Sequence, residues 1–158
     1  MRDKNHRPRL RSSHAADFVK RVGPKIYDDY KDEPVIFAGI GNSGNFFGYQ
    51  LTTFAVQNGM DATYINIDKG TVRRDLQKNR GAIRGRALVF VDDAVWTATT
   101  YNQVLDVARE MSERLGYTGV KFAVWIDSKN IADYHGRSEE PRGVKDYMAG
   151  FIRGLRGR

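Results

Sequence analysis

Residues 89–100 read VFVDDAVWTATT, an apolar run that ends in two adjacent acids and continues into a stretch rich in threonine. The apolar part is typical of a strand that is buried on both faces of a parallel sheet. Apolar residues then recur at helical spacing over 104–115, which indicates a helix directly after the threonines. The stretch therefore predicts a strand, a tight turn and a helix, with Asp92 and Asp93 at the tip of the strand.

The same alternation extends over most of the chain. Apolar runs predict strands at 35–40, 63–67, 86–91 and 120–126. The first helix is predicted to begin after Ser12 or Ser13 and to be interrupted or kinked at Gly23 and Pro24. Four strands that alternate with helices indicate an α/β fold, in which helices cover both faces of a parallel sheet.

Composition narrows the functional class. The 158 residues include 26 lysines and arginines against 19 acids, a net charge of +7. This length fits one domain, and the charge favours polyanionic partners such as nucleic acid or phosphorylated small molecules. The absence of cysteine excludes disulfides, thiolate catalysis and cysteine-based zinc sites, and the three histidines are too scattered for a metal site.

Three parts are expected along the chain: a basic tail at 1–11, the α/β domain at 12–136 and a basic extension at 137–158. The tail is either a solvated segment or an arm for nucleic acid or another anionic partner. No apolar run is long enough for a membrane span, and the first residues do not resemble a secretory signal. We therefore expect a cytoplasmic protein that does not associate with membranes.

The carboxyl ends of the strands are where ligands bind in such sheets. The amides at the start of the third helix suit a phosphate, and Thr97, Thr99 and Thr100 add hydroxyl donors. Asp92 and Asp93 beside them would hold sugar hydroxyls, or a magnesium ion through water. The pattern fits a phosphorylated sugar; the alternative is an acidic strand end followed by an ordinary helix start.

Residues 89–100 resemble the phosphoribosyl pyrophosphate motif of the type I phosphoribosyltransferases, with the purine type as the candidate subgroup. Both acids, Thr97 and Thr100 match that motif in register, and Ala98 stands where the family usually has glycine. The resemblance implies that Asp92 and Asp93 are catalytic residues that hold the ribose hydroxyls. It also implies that Thr97, Ala98, Thr99 and Thr100 bind the 5′-phosphate. Mg²⁺ would then be bound through the pyrophosphate and water near the two acids.

Two other stretches are similar to parts of that family. Residues 39–44 resemble its pyrophosphate loop, which assigns pyrophosphate binding to Gly41, Asn42, Ser43 and Gly44. Residues 70–85 fall where the family has a mobile catalytic lid, so that Arg73 and Arg74 would close over the pyrophosphate. The alternative for this segment is a solvated helix, because Val72, Leu76 and Ile83 lie near helical spacing.

The acceptor base has weaker candidates. Trp96 stands where purine-specific members often carry an acid, and an indole would stack on a base, block its pocket or pack in the core. Lys129 and Tyr134 resemble the lysine that contacts the ring oxygen and the aromatic that stacks on it.

The resemblance implies a Mg²⁺-dependent phosphoribosyltransferase that transfers ribose 5-phosphate to a nucleobase, with a purine as the candidate, and that forms a homodimer. The first alternative is a non-catalytic regulator with the same fold, which binds phosphoribosyl pyrophosphate or nucleotide and contacts nucleic acid through its basic termini. A second alternative is dinucleotide binding, since Gly39, Gly41 and Gly44 match that fingerprint and Asp68 would be the ribose acid. Four strands are too few for a full dinucleotide-binding domain.

Overall fold

A computed structural model describes residues 12–95 and 98–138 of the chain. The elements are α1 (Ser12–Tyr30), β1 (Val35–Ile40), α2 (Gly41–Gln57), β2 (Ala62–Ile67), α3 (Val72–Lys78), α4 (Arg80–Ile83), β3 (Ala87–Val95), α5 (Ala98–Leu115), β4 (Gly119–Asp127) and β5 (Tyr134–Arg137). The tail at 1–11, Trp96, Thr97 and residues 139–158 of the predicted extension lie outside the described residues. In the part that is described, no helix is both long and apolar enough to cross a membrane.

The five strands form one parallel sheet in the order β2-β1-β3-β4-β5. Alternate strand residues point to opposite faces, and each face has its own apolar cluster. Phe37 and Val89 pack with α1 and α2 on one face, and Leu88 and Phe90 pack with α3, α4 and α5 on the other. The predicted α/β fold with helices on both faces is therefore confirmed.

Helix α1 continues through Pro24, so the predicted interruption is wrong. A proline inside a helix removes one hydrogen bond and strains the preceding turn. Here Val22 and Ile26 flank it and are fully buried. A Cβ atom at Gly23 would lie 2.9 Å from the ring of Phe54, so the glycine lets α2 pack closely at this point. The buried stripe on both sides of the proline thus holds the helix together.

The sheet is larger than the sequence predicts in two places. Strand β3 continues past its predicted end at Val91, because Asp92 pairs with Val124 of β4 and the ladder extends to Val95. The fifth strand, β5, was not predicted at all. It contains only four residues, Tyr-His-Gly-Arg, and pairs with β4 from Tyr134 onward.

Residues 70–85 form helices rather than an open loop, and movement of this segment as a lid stays a prediction. They contain α3 and α4, whose Val72, Leu76 and Ile83 are buried in the cluster against α5. Burying side chains of this size stabilises a segment by roughly 1.5–3 kcal/mol each. The helical alternative therefore describes this segment, and opening it would expose all three side chains.

Candidate functional site

The end of β1 lies beside the middle of β3 in the sheet, where Gly39 pairs with Val91, the residue before the acid pair. The first turn of α2 lies directly against this junction. A Cβ atom at Gly44 would be 2.4 Å from the carbonyl oxygen of Val91 and 3.5 Å from the Cα atom of Asp92. The structure thus brings together two groups that the sequence places in one site, the turn at 41–44 and the acid pair.

The sequence predicts a separate loop for the glycine-rich stretch after β1. In the structure, residues 41–44 are instead the first turn of α2. The reason is close backbone packing, since a Cβ atom at Gly39 would lie 2.5 Å from the carbonyl oxygen of Gly44. Gly41 has a φ of +64° and open space where its Cβ would be. The first amides of a helix have no partners within it and attract anions. Gly41, Asn42, Ser43 and Gly44 therefore present backbone donors at this edge, with no acid in the turn.

Asn66, near the end of β2, is a site residue that the sequence analysis missed. Its side-chain amide donates to the carbonyl oxygens of Gly39 at 3.0 Å and Gly41 at 3.2 Å. This clamp holds both carbonyls of the β1–α2 turn toward β2. The available signal was one polar residue close to the carboxyl end of an apolar strand, which is too common to single out.

The two acids lie next to each other within β3, which continues to Val95, and not at its tip as predicted. A carboxylate oxygen of Asp92 accepts the amide N–H of Asp93 at 2.8 Å. Burial raises the pKa of Asp92 well above its usual range, and the charge of Asp93 raises it further. Lys69, after β2, acts in the opposite direction with a smaller effect on that pKa. The pair would gain from hydrogen-bond donors or a cation that neutralises its crowded charge.

Helix α5 begins at Ala98, three residues after β3 ends. Ala98 and Thr99 are exposed, Thr100 is half-buried, and the first turn carries no acid. The hydroxyl of Tyr101 donates to the carbonyl oxygen of Ile131 at 2.9 Å, which ties this helix start to the β4–β5 connection. The start of α5 therefore offers amides and threonine hydroxyls close to the end of the acid-bearing strand.

The predicted catalytic arginines lie elsewhere. Arg73 forms an ion pair of 2.6 Å with Glu110, twelve residues along α5 and thus about 18 Å from its start. Arg74 is largely exposed and lies 3.7 Å from Asp75. The buried residues of α3 hold the helix against α5, and a catalytic role of Arg73 and Arg74 stays a prediction. Lys69 is the cation whose charge acts on Asp92.

The β4–β5 connection is organised by Asp127, which is fully buried. Its carboxylate accepts the backbone N–H groups of Lys129 at 3.2 Å and Ala132 at 2.8 Å. The side chain of Lys129 is exposed beyond the end of β4. Tyr134 is 5 % exposed, and its hydroxyl donates to Asp29. A ring so deeply buried offers no surface on which a base could stack, which argues against the predicted base contact of Tyr134.

The donor chemistry fits a water-mediated magnesium site. The described residues contain no cluster of three or more metal-ligating side chains, so they would not enclose a metal ion by themselves. Asp92 and Asp93 offer adjacent carboxylate oxygens, which are ligands that Mg²⁺ prefers, and Mg²⁺ usually keeps water and substrate phosphate in its shell. This arrangement suits an ion that arrives with a phosphorylated substrate.

Comparison with known proteins gave matches among solved structures. No protein-family model matches the chain, and no curated protein sequence does either. HGPRT-ase from Leishmania tarentolae, solved in complex with GMP, superposes with a TM-score of 0.62 at 21% identity over 82% of this chain and 78% of that one. The hypoxanthine phosphoribosyltransferase of Trypanosoma cruzi gives 0.61 and 22% over 79% and 77%. That of Staphylococcus aureus gives 0.60 and 14% over 84% and 77%. These likenesses confirm the fold that the sequence resemblance implied, that of the type I phosphoribosyltransferases.

Proposed function

We propose that this protein is a phosphoribosyltransferase that transfers ribose 5-phosphate from phosphoribosyl pyrophosphate to a nucleobase, and that the base is a purine. One observation carries the proposal. The acid pair of β3, the exposed start of α5 and the first turn of α2 meet at one edge of the sheet. Two anion-binding helix starts on either side of two carboxylates match a sugar that carries a phosphate at one end and a pyrophosphate at the other.

Each part of the substrate has a partner in this arrangement. The amides and hydroxyls at the start of α5, with Thr99 and Thr100, would bind the 5′-phosphate. Asp92 and Asp93 would accept hydrogen bonds from the ribose hydroxyls. The amides of 41–44 would bind the pyrophosphate, with Lys69 contributing a positive charge beside it.

The reaction breaks the bond between C1 and the pyrophosphate oxygen, and the pyrophosphate leaves with the electron pair. A base nitrogen forms the new bond at C1 and gives up its proton. Positive charge develops on the ribose ring as the old bond loosens, and the carboxylates of Asp92 and Asp93 favour that charge. When bound, Mg²⁺ would neutralise charge on the pyrophosphate, held through water by the same two carboxylates. The protein's own contribution is therefore to position the sugar and to stabilise the leaving group.

A purine acceptor is supported by the solved structures of similar fold, which are named as hypoxanthine phosphoribosyltransferases. Lys129 is exposed beyond the tip of β4, where its ammonium group would donate to the carbonyl oxygen attached to the ring of the base. We keep Trp96 as a second base contact on the strength of the sequence alone.

The test is turnover by the full chain with phosphoribosyl pyrophosphate, Mg²⁺ and a panel of hypoxanthine, guanine, adenine and uracil. We expect pyrophosphate release together with a nucleoside monophosphate from at least one purine. Asp93→Asn is the matched inactive variant, and Asp106→Asn, an exposed acid on α5, is the control. Absence of pyrophosphate release with every base, while phosphoribosyl pyrophosphate still binds, would rule the enzyme out.

The second candidate is a regulator of the same fold without turnover. Ala98 in place of the usual glycine and the net charge of +7 favour it. Its signature would be binding of nucleic acid whose affinity falls steeply with salt, together with phosphoribosyl pyrophosphate binding that changes this affinity. Dinucleotide binding is less favoured, because the carboxylate of Asp68 already accepts the N–H of Gly70 at 2.7 Å within its own turn and the acid pair of β3 would have no role in it.

A further inference from the structure

A second concave surface lies between α3 and α5, on the outer side of the helix layer. This α3/α5 cleft has a volume of about 530 Å³, which falls in the range of small-molecule sites. Its polar lining contains the hydroxyl of Thr71 and six longer side chains, those of Lys69, Arg73, Arg74, Gln77, Gln103 and Arg114. Four of these six longer side chains are cationic, and no lining residue is acidic.

The positive charge of the cleft is only partly neutralised. Arg73 pairs with Glu110 at 2.6 Å, and Arg74 lies 3.7 Å from Asp75. Arg114 donates to the side-chain oxygen of Gln77 at 2.6 Å, and this partner carries no charge. Two carboxylates thus pair with four cations, so the cleft keeps an excess of positive charge.

The remaining lining has the chemistry of an organic ligand site. Val72 and Val107 supply an apolar wall, and the amides of Gln77 and Gln103 supply neutral donors and acceptors. A guanidinium group can bind two phosphate oxygens at once through two parallel N–H donors, a bidentate geometry that lysine does not offer. The combination of cations, amides and an apolar wall suits a ligand with both phosphates and a heterocycle.

We propose that the α3/α5 cleft is a second anion site, which adjoins the site at the carboxyl edge only at Lys69, and that it binds a phosphorylated small molecule of the nucleoside polyphosphate class. The cleft extends from the start of α3, at Thr71 and Val72, to Arg114 in the last turn of α5, and it does not reach the first turn of α5. A ligand there would contact the lower part of α5, whose start belongs to the proposed substrate site.

The experiment is calorimetric titration of the full chain with ATP and, separately, with inorganic triphosphate. Arg114→Gln is expected to weaken ATP binding at least about tenfold, since it removes a charge-assisted hydrogen bond. Arg109→Gln is the matched control, because Arg109 is exposed on the same helix and does not line the cleft. Gln103→Glu places a negative charge in the cleft and should weaken binding as well, even if Arg114→Gln perturbs folding.

The two ligands distinguish the sources of the phosphate. Tighter binding of ATP than of triphosphate would support a nucleotide, whereas equal affinity would reduce the proposal to a plain polyphosphate site and overturn the ligand class. ATP affinity that is the same in Arg114→Gln, Gln103→Glu and the wild type would overturn the site. Cleft-dependent binding of single-stranded RNA in preference to ATP would instead assign the surface to nucleic acid.

This inference and the proposed function fail separately. Phosphoribosyl pyrophosphate should bind Arg114→Gln and the wild type with the same affinity. ATP that is already bound to the wild type should stay bound when phosphoribosyl pyrophosphate is added. Displacement of ATP by phosphoribosyl pyrophosphate would place both ligands in one site and contradict the cleft. Absence of turnover, with ATP binding still dependent on Arg114, would remove the enzyme and leave the cleft standing.

Discussion

Asp92 illustrates how a binding group lowers the stability of its own fold. Its carboxylate is partly buried beside Asp93, and both burial and that neighbour raise its pKa. For an acid whose pKa is raised on folding, stability is highest below the pKa of the unfolded state and falls as the pH rises through the folded pKa. Ionising the Asp92 carboxyl in the folded chain therefore costs free energy that a bound cation or sugar would recover.

Asp92→Asn should raise the free energy of unfolding at pH 7 by about 1 kcal/mol. The new side chain keeps an oxygen that can accept the N–H of Asp93, and it removes one of two crowded charges. The same variant should bind phosphoribosyl pyrophosphate more weakly, because the carboxylate is lost. Chemical denaturation and calorimetric titration measure the two effects; a variant that loses stability would contradict the account of the pair.

Gly44 shows a second constraint at the scale of one residue. Gly44→Ala would place a methyl group 2.4 Å from the carbonyl oxygen of Val91, where backbone rather than a flexible side chain must give way. We expect a loss of about 3 kcal/mol in unfolding free energy. Gly81→Ala is the control, since nothing lies within 4 Å of that Cβ position, and it should leave the thermal midpoint unchanged or slightly higher.

Asn66 should matter for binding more than for stability. Asn66→Ala releases the carbonyls of Gly39 and Gly41 and loosens the turn that presents the pyrophosphate donors. We expect about tenfold weaker binding of phosphoribosyl pyrophosphate. Asn58→Ala removes a similar bond, from a side-chain amide to the carbonyl oxygen of Phe54 at 2.8 Å, but at the opposite end of α2. Equal losses in both variants would show that Asn66 acts only on the stability of α2.

At the scale of elements, the helices and strands with a regular apolar pattern can be predicted from the sequence, whereas elements that depend on packing against a neighbour cannot. Four strands and the three long helices follow from apolar runs and stripes. Strand β5 was missed because its four residues contain a glycine, an arginine and a histidine, and only Tyr134 is buried. The lid was predicted because cations dominate residues 70–85, although three apolar residues there settle the structure. Asn66 could not be found, because its role exists only once β1 and β2 are paired.

The contact between α1 and β5 depends on Asp17. Its carboxylate accepts bonds from Arg137 at 2.8 and 3.0 Å, from the indole of Trp125 at 2.8 Å and from Arg21 at 3.0 Å. These bonds, that from Arg137 foremost, hold the pKa of Asp17 far below its usual range. The carboxylate therefore stabilises the fold above the unfolded-state pKa of about 3.9, and this contribution disappears as the pH falls toward the folded pKa.

Asp17→Asn should lower the free energy of unfolding at pH 7 by about 2 kcal/mol. It should also flatten the dependence of stability on pH below about pH 4, where the wild type loses the charged form. Urea denaturation at pH 7 and at pH 3 measures both quantities. Asp106→Asn serves as the control. If the unfolding free energy of Asp17→Asn depends on pH in the same way as that of the wild type, the proposed role of the carboxylate is contradicted.

At the scale of the whole molecule, substrate binding should be visible as stability. A ligand that binds only the folded chain stabilises it by about 2.7 kcal/mol when present at a hundred times its dissociation constant. Phosphoribosyl pyrophosphate with Mg²⁺ should therefore raise the thermal midpoint of the wild type by several degrees, and that of Asp93→Asn much less. An equal rise with both proteins would place the ligand away from the acid pair.

The fold could be predicted because one motif and the alternation of elements both pointed to it. The acceptor could not, since Trp96 fits stacking, blocking or core packing equally well as a residue type. The net charge predicts polyanionic partners in general, but the sequence alone does not indicate that Arg73, Arg74 and Arg114 line one cleft. That arrangement depends on the packing of α3 against α5.

The pairing of Asp17 with Arg137 joins positions that are 120 residues apart. A chain growing on the ribosome makes Asp17 early and must wait for nearly the whole α/β domain before its partner emerges. Helix α1 therefore lacks its partner strand throughout that interval, and Trp125 also arrives late to cover it. Contacts so distant along a chain slow folding, so truncation before β5 should yield a nascent domain that depends on chaperones.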